Sequence, residues 1–304
     1  DGVARTDAAG FTIGNKGYIC GGYNGKTTRL ADTWEYDIDN DWWTQRADMP
    51  GTVRNAATGF PVGNKGYITT GYNPDQKYLA DTWEYDPETN TWRQMDDFKG
   101  GARYYALGFG IDNYGYVGTG YNDNYLKDFY RFDPTAAAGS QWTIVNGFGG
   151  QKRQGATAFV INGKAYVCGG QNNNSDVSDF WRFDPSAATP WTQLRDIANT
   201  SDDDYDDDYT SIVRSYGVSF VIDGKAYLTL GSTAGGSYYS NYWIYDPETD
   251  LWEGDDLTAF EGSTRIHAVC FSTGTRGIIA TGGSGSSSYF DDTWELKPYE
   301  YEEE

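Results

Sequence analysis

The sequence predicts an all-β protein, a six-bladed propeller with four antiparallel strands per blade. Three observations lead there. First, an arginine-led pattern recurs six times: Arg5, Arg54, Arg103, Arg153, Arg214 and Arg265 stand 49, 49, 50, 61 and 51 residues apart. Second, the 304 residues include 26 Tyr, 11 Trp and 39 Gly, a composition that suits short strands and tight turns. Third, turn pairs fall at fixed places in the units, Asn162-Gly163 and Asp223-Gly224 early, Asp86-Pro87 and Asp246-Pro247 late.

Each unit divides into strands A to D. In the second unit these read Ala56–Phe60 for A, Gly66–Gly71 for B, Thr82–Asp86 for C, and a run from Trp92 for D. Asn64-Lys65 is expected to turn A into B. Six residues past each arginine comes a Phe: Phe11, Phe60, Phe109, Phe159, Phe220 and Phe271. Strand B ends on Gly22, Gly71, Gly120, Gly170, Gly231 and Gly283, and strand C centres on Trp34, Trp83, Tyr130, Trp181, Trp243 and Trp294. One such sheet cannot bury both faces by itself. A ring of stacked sheets can, with large rings filling the wedge outward and Gly or Ala letting the strands converge on the axis.

The spacing closely resembles the kelch repeat, a glycine doublet followed by an aromatic residue and then a Trp. Gly21-Gly22, Gly169-Gly170 and Gly282-Gly283 keep the doublet, while units two and three carry Thr-Gly and unit five Leu-Gly. The resemblance covers essentially the whole chain, residues 1–304, as one domain. It implies a six-bladed propeller related in fold to the central domain of galactose oxidase. The wording Asp-Thr-Trp-Glu-Tyr-Asp-Pro-Glu-Thr-Asn also looks like secreted or surface-anchored kelch proteins of bacteria. That resemblance implies a place outside the cytoplasm, periplasmic or at the cell surface, tethered by a lipid upstream of Asp1. The sixth unit lacks a Trp-led strand D. Its last blade is therefore expected to be the weakest, closed by an upstream strand or by Tyr299–Tyr301.

Charge and cysteine content narrow the partners. A net charge of −21 repels phosphate backbones, which argues against nucleic acid and anionic membrane. No run approaches the roughly 20 apolar residues that span a bilayer. Cys20, Cys168 and Cys270 are odd in number and strand-flanked, and read as buried free thiols.

Strand order places the B–C loops and D–A connections on one rim, which carries the long, variable segments where binding usually resides. Arg5, Arg54, Arg103, Arg153, Arg214 and Arg265 open strand A there. One reading has them ring the channel mouth and hold a carboxylate by its two oxygens. The other has each pair with Asp32, Asp81, Asp128, Asp179 or Asp292 and tie the fold together. Tyr23, Tyr72 and Tyr121 follow strand B on this rim, with Tyr104, Tyr105, Tyr125, Tyr216, Tyr238 and Tyr239 nearby. They either stack on sugar rings or pack under the loops. His267, the only histidine, lies two residues past Arg265. An insertion of about twelve residues before Arg214 holds six aspartates in Asp202–Asp208. It reads as a solvated acidic loop, folded over the mouth in one version, with Asp202, Asp204, Asp206 and Asp208 as a weaker Ca²⁺ candidate.

Copper radical chemistry of the galactose oxidase kind needs two His, and a single His with no Ser partner gives no hydrolytic triad. The expectation is a non-catalytic platform without cofactor, binding a protein or an acidic or neutral glycan. The alternative is an enzyme that mutarotates sialic acid, which the kelch resemblance allows.

Overall fold

A computed structural model describes residues 2–25, 28–254 and 258–298. Six antiparallel sheets follow one another along the chain, in a six-bladed propeller. Blades 1 to 5 have four strands each, paired in the order A-B-C-D. In blade 1 these are Ala9–Ile13, Lys16–Cys20, Thr33–Asp37 and Trp42–Arg46. Blade 6 has three, Val269–Ser272, Gly277–Ala280 and Thr293–Leu296. No fourth strand pairs there among the described residues, and Tyr299–Tyr301 lies outside them.

The strands sit slightly away from their expected bounds, for backbone reasons. In blade 2, strand A is Thr58–Val62, because Ala56 is left-handed (φ 53°) and turned toward the axis. Strand B is Lys65–Thr69, because Thr70 and Gly71 both have positive φ. The A–B turn is Gly63-Asn64, one residue earlier than Asn64-Lys65, so Lys65 opens strand B and pairs with Val62. The doublet in unit six is also displaced. Thr281 (φ 63°) and Gly282 (φ 100°) hold the two left-handed places, and Gly283 occupies the position of Tyr23 and Tyr72.

That second glycine explains itself through its partner. Its positive φ, 85° to 111° around the ring, aims its N–H out of its own sheet. The N–H of Gly22 donates to the carbonyl of Arg54 at 2.9 Å, and Gly71, Gly120, Gly170 and Gly231 repeat this toward Arg103, Arg153, Arg214 and Arg265. Gly282 donates to Arg5 at 2.9 Å and completes the circle. Farther out, the strand-A Phe of one blade fills space that the next blade leaves empty. A Cβ on Gly66 would lie 2.0 Å from Phe11, one on Gly115 2.2 Å from Phe60, and one on Gly17 2.3 Å from Phe271. Ala165 and Ala226 take the same role in blades 4 and 5, buried with Phe109 and Phe159. These contacts between fully desolvated rings and backbone are the core, and they close blade 6 on blade 1 as well.

The six repeat arginines are at most 1 % exposed. Arg54 shows the pattern: Nε donates to the Thr52 carbonyl at 2.9 Å, Nη1 to the Thr70 carbonyl at 3.0 Å, and both Nη groups to Asp81 at 2.7 and 2.6 Å. Asp81 also accepts from the indole of Trp83 at 2.7 Å. The Asp-x-Trp spacing of strand C is therefore a receptor for the arginine that opens strand A. Arg5, Arg103, Arg153 and Arg265 pair with Asp32, Asp128, Asp179 and Asp292. Arg214 differs, since Asn241 stands in place of the aspartate and offers Oδ1 at 3.2 Å. Burial without a carboxylate pulls the Arg214 pKa down to about 10.

Candidate functional site at the axial mouth

Two residues past each arginine the chain turns left-handed. These residues are Asp7, Ala56, Tyr105, Gly155, Tyr216 and His267, with φ between 51° and 65°. Each N–H donates to the carbonyl of the same position in the preceding blade. The links are Ala56 to Asp7 (2.8 Å), Tyr105 to Ala56 (3.0 Å), Gly155 to Tyr105 (3.4 Å), Tyr216 to Gly155 (2.8 Å), His267 to Tyr216 (3.2 Å) and Asp7 to His267 (3.3 Å). Six peptides thus form a closed circle about the axis. The next residue is Ala or Gly in every unit (Ala8, Ala57, Ala106, Ala156, Gly217, Ala268), which gives the backbones room to converge. Five non-glycine residues held at positive φ represent stored strain, a feature that gathers at functional sites.

The side chains of this circle form a plug. His267 lies between Tyr105 (ring centroids 5.0 Å, planes 20° apart) and Tyr216 (4.2 Å, 43°). Its Nδ1 is 2.9 Å from Oδ1 of Asp7, and that oxygen also accepts the Tyr105 hydroxyl at 2.7 Å. The Tyr216 oxygen accepts two amide N–H groups, from Gln154 and Gln171, both at 2.6 Å. Gly155 is small because a Cβ there would lie 2.3 Å from the Tyr216 ring. Burial alone pushes the Asp7 carboxyl up. The His267 charge and hydrogen bond, the Tyr105 hydroxyl and the Arg29 charge outweigh it and hold Asp7 below the usual carboxylate range. Burial, then the Asp7 charge, drives the Tyr105 phenol well above its ordinary value. Burial likewise raises Tyr216, against the two amide donors. Both phenols therefore stay protonated at neutral pH. His267 is thus an imidazole oriented by a carboxylate through Nδ1, beside a protonated phenol.

Around the plug the rim is lopsided. The residue after each arginine pairs with the residue after each strand-B glycine, giving Thr6 with Tyr23, Asn55 with Tyr72 and Tyr104 with Tyr121 on blades 1 to 3. On blades 4 and 5 the same pairs are Gln154 with Gln171 and Ser215 with Ser232. Arg29, on the B–C loop of blade 1, lies 4.3 Å over the Tyr23 ring and 5.8 Å from Tyr72. Its Nε donates to Asn55 Oδ1 at 2.7 Å. No acidic side chain lies within ion-pair distance of it among the described residues, and it is half-buried.

Several residues singled out in the sequence are brought together here: Tyr23, Tyr72, Tyr105, Tyr121, Tyr216 and His267. The guanidinium groups of Arg5, Arg54, Arg103, Arg153, Arg214 and Arg265 do not line the mouth. They are buried in the blades and committed to Asp and carbonyl oxygens. Tyr239 is likewise occupied, 4.7 Å from the Arg214 guanidinium, and the Tyr238 hydroxyl accepts from Gly285 N–H at 2.9 Å. The insertion does not cover the axis in the contacts it makes. Tyr209 and Ile212 pack with Trp243, Trp252, Phe180 and Ile197 along the outer strands of blades 4 and 5. Asp206 turns inward and accepts from Thr200 N, Ser201 N and Ser201 Oγ at 2.9 Å each. Asp202, Asp204, Asp206 and Asp208 form no metal-binding group among the described residues. Burial raises the thiols of Cys20, Cys168 and Cys270 to about 11, 12 and 11, which suits unreactive packing.

Sequence reading missed Asp7 and Arg29. Asp7 stands two residues past Arg5, the same offset that picks out Tyr105, Tyr216 and His267, so the signal was present. Arg29 lies in a variable loop outside the repeat register, and no spacing marks it.

Comparison with known proteins fits this geometry. A family model described as the KLHDC2/KLHL20/DRC7 Kelch-repeats domain matches residues 3–152. A second, the Kelch motif, matches residues 152–194. N-acetylneuraminate epimerases of Yersinia pestis and Yersinia pseudotuberculosis are 29% identical over 164 residues, 44% of this chain. The match spans only 41% of the length of those relatives. The solved structure of YjhT superposes with a TM-score of 0.77 at 15% identity, covering 96% of this chain and 94% of that one, a likeness of fold. With this repeat, these matches and this closed ring of blades, the chain belongs to the kelch-repeat propellers.

Proposed function

We propose that the axial mouth is a saccharide-binding site that takes a carboxylate-bearing sugar. One observation carries the reading. Arg29 is a half-buried cation on the rim with no carboxylate within ion-pair distance among the described residues, while each repeat arginine is fully enclosed by its own blade. Tyr23 and Asn55 hold Arg29 in place, so its Nη groups, without a hydrogen bond to any other described residue, can meet a carboxylate with little loss of side-chain freedom. Tyrosines beside it offer faces for a sugar ring and hydroxyls for its rim. The site then acts as a rigid platform.

The test is isothermal titration with N-acetylneuraminate and with glucuronate, against wild type and Arg29→Gln. Binding by wild type that falls at least about tenfold in the variant supports the reading, since a charge-assisted pair contributes about 1.5–3 kcal/mol. Binding that ignores the substitution, or no binding of either acid, rejects it.

A second reading is favoured by the Asp7–His267 pair. An oriented base next to a protonated Tyr216 is what proton exchange at an anomeric hydroxyl requires. The matched relatives are named as N-acetylneuraminate epimerases, which supports asking the question of this chain. Anomer exchange followed by NMR, faster with wild type than with His267→Gln, would favour turnover. Equal rates for both proteins would leave the platform alone.

A further inference from the structure

The aromatic surface does not stop at the axis. Tyr105 touches Tyr104 at 4.8 Å. Tyr104 meets Tyr78 in a parallel stack (5.6 Å, 7°) and Tyr121 edge-on (5.7 Å, 86°), and Tyr121 meets Tyr125 at 5.0 Å. All five rings are half-buried. They are fixed in place. Tyr104 and Tyr121 exchange backbone hydrogen bonds at 3.0 and 2.9 Å, and the Tyr78 hydroxyl donates to Asp123 at 2.7 Å, tying the loops of blades 2 and 3 together. Nothing comparable exists at these positions on blades 4 and 5, where Gln154, Gln171, Ser215 and Ser232 stand.

The strip is therefore directional. It has a cation at one end, Arg29 beside Tyr72, and it leads over blades 2 and 3 toward the edge of the rim. Three successive ring-to-ring steps make it longer than one pyranose can cover. We propose that this strip is a series of sugar subsites. Its occupant is an oligosaccharide whose acidic residue sits at Arg29 and whose following residues lie across Tyr104, Tyr121 and Tyr125. Charge complementarity selects the end, and flat, pre-ordered phenols select rings over extended peptide. The inference rests on the carboxylated-sugar reading above and adds length and polarity to it.

The experiment compares matched probes by titration calorimetry: N-acetylneuraminate with 3′-sialyllactose, glucuronate with a glucuronate-ended tetrasaccharide, and lactose alone. The proteins are wild type, Arg29→Gln, Tyr125→Ala and Tyr125→Phe, each checked for native thermal unfolding. Expected is an oligosaccharide at least about tenfold tighter than its acidic monosaccharide. Tyr125→Ala should remove that gain without changing the monosaccharide Kd, and Tyr125→Phe should keep it. Equal Kd for monosaccharide and oligosaccharide, both lost in Arg29→Gln, overturns the subsites and leaves the acidic-sugar reading standing. Lactose binding as tightly as sialyllactose overturns the polarity. Absence of all binding overturns the underlying reading instead.

Discussion

His267 and Asp7, from the last blade and the first, meet with Nδ1 2.9 Å from Oδ1, directly above the point where their own backbones are hydrogen-bonded. The contact joins the two ends of the repeat array, so the plug and the ring closure are coupled through the same pair.

The acid limb of stability should report on Asp7. Its folded pKa is depressed below the unfolded value, about 3.9 for an aspartate. Such a group contributes stability that is fully present above the unfolded value and is lost as pH falls through the folded one. Wild type minus Asp7→Asn, measured by urea unfolding, should give a difference that is present at about pH 5 and shrinks below about pH 4. A difference that stays flat down to pH 2.5 on the same scale would show that Asp7 is not depressed.

Arg214 lacks the carboxylate that its five counterparts have. Asn241→Asp should restore the pair, raise the Arg214 pKa and stabilise the fold by about 1–2 kcal/mol at neutral pH. Asp81→Asn, the reverse change in blade 2, should destabilise by about 2–4 kcal/mol. Chemical denaturation of the two variants checks both signs, and a loss of stability in Asn241→Asp would contradict the account.

Gly71 holds φ 111° and sends its N–H to Arg103 of the next blade at 2.8 Å. A Cβ there would also crowd the Ala57 Cβ at 3.0 Å. Gly71→Ala should cost about 1–3 kcal/mol from backbone strain. Gly63→Ala, also at positive φ (57°) but in an open turn where nothing lies within 4 Å, carries the backbone strain without the crowding and should cost less. Equal losses for the two would argue that the inter-blade link is not what the glycine serves.

The acidic insertion should behave as a packed wedge. Asp206→Ala removes three hydrogen bonds to the loop's own backbone and serine and should lower Tm, whereas millimolar Ca²⁺ should leave the Tm of wild type unchanged. A rise in Tm with Ca²⁺ that Asp204→Asn abolishes would restore the metal reading.

Most of the architecture was legible because a propeller blade repeats its packing. Arg54, Phe60, Gly71 and Trp83 each answer the same local need six times over, so spacing exposes them. The arginines show the limit of this reasoning. Spacing says that Arg54 recurs, and net charge makes an open cationic ring attractive. Only three dimensions show that Asp81 and the Thr70 carbonyl enclose it. The candidate site was half legible, for a related reason. Asp7, Tyr105, Tyr216 and His267 share one offset yet differ in chemistry, and spacing reveals the offset without the chemistry. Arg29 answers to no repeat, and only the folded chain brings it to Tyr23 and Asn55.

The closed circle of six peptides has a practical corollary. Because main-chain hydrogen bonds run unbroken around the axis at that level, the residues rising from it share one backbone frame whatever their side chains. Asp7, Ala56, Tyr105, Gly155, Tyr216 and His267 are unlike tiles set at equivalent places in one mosaic. The wheel repeats itself six times, while its floor changes character from one blade to the next.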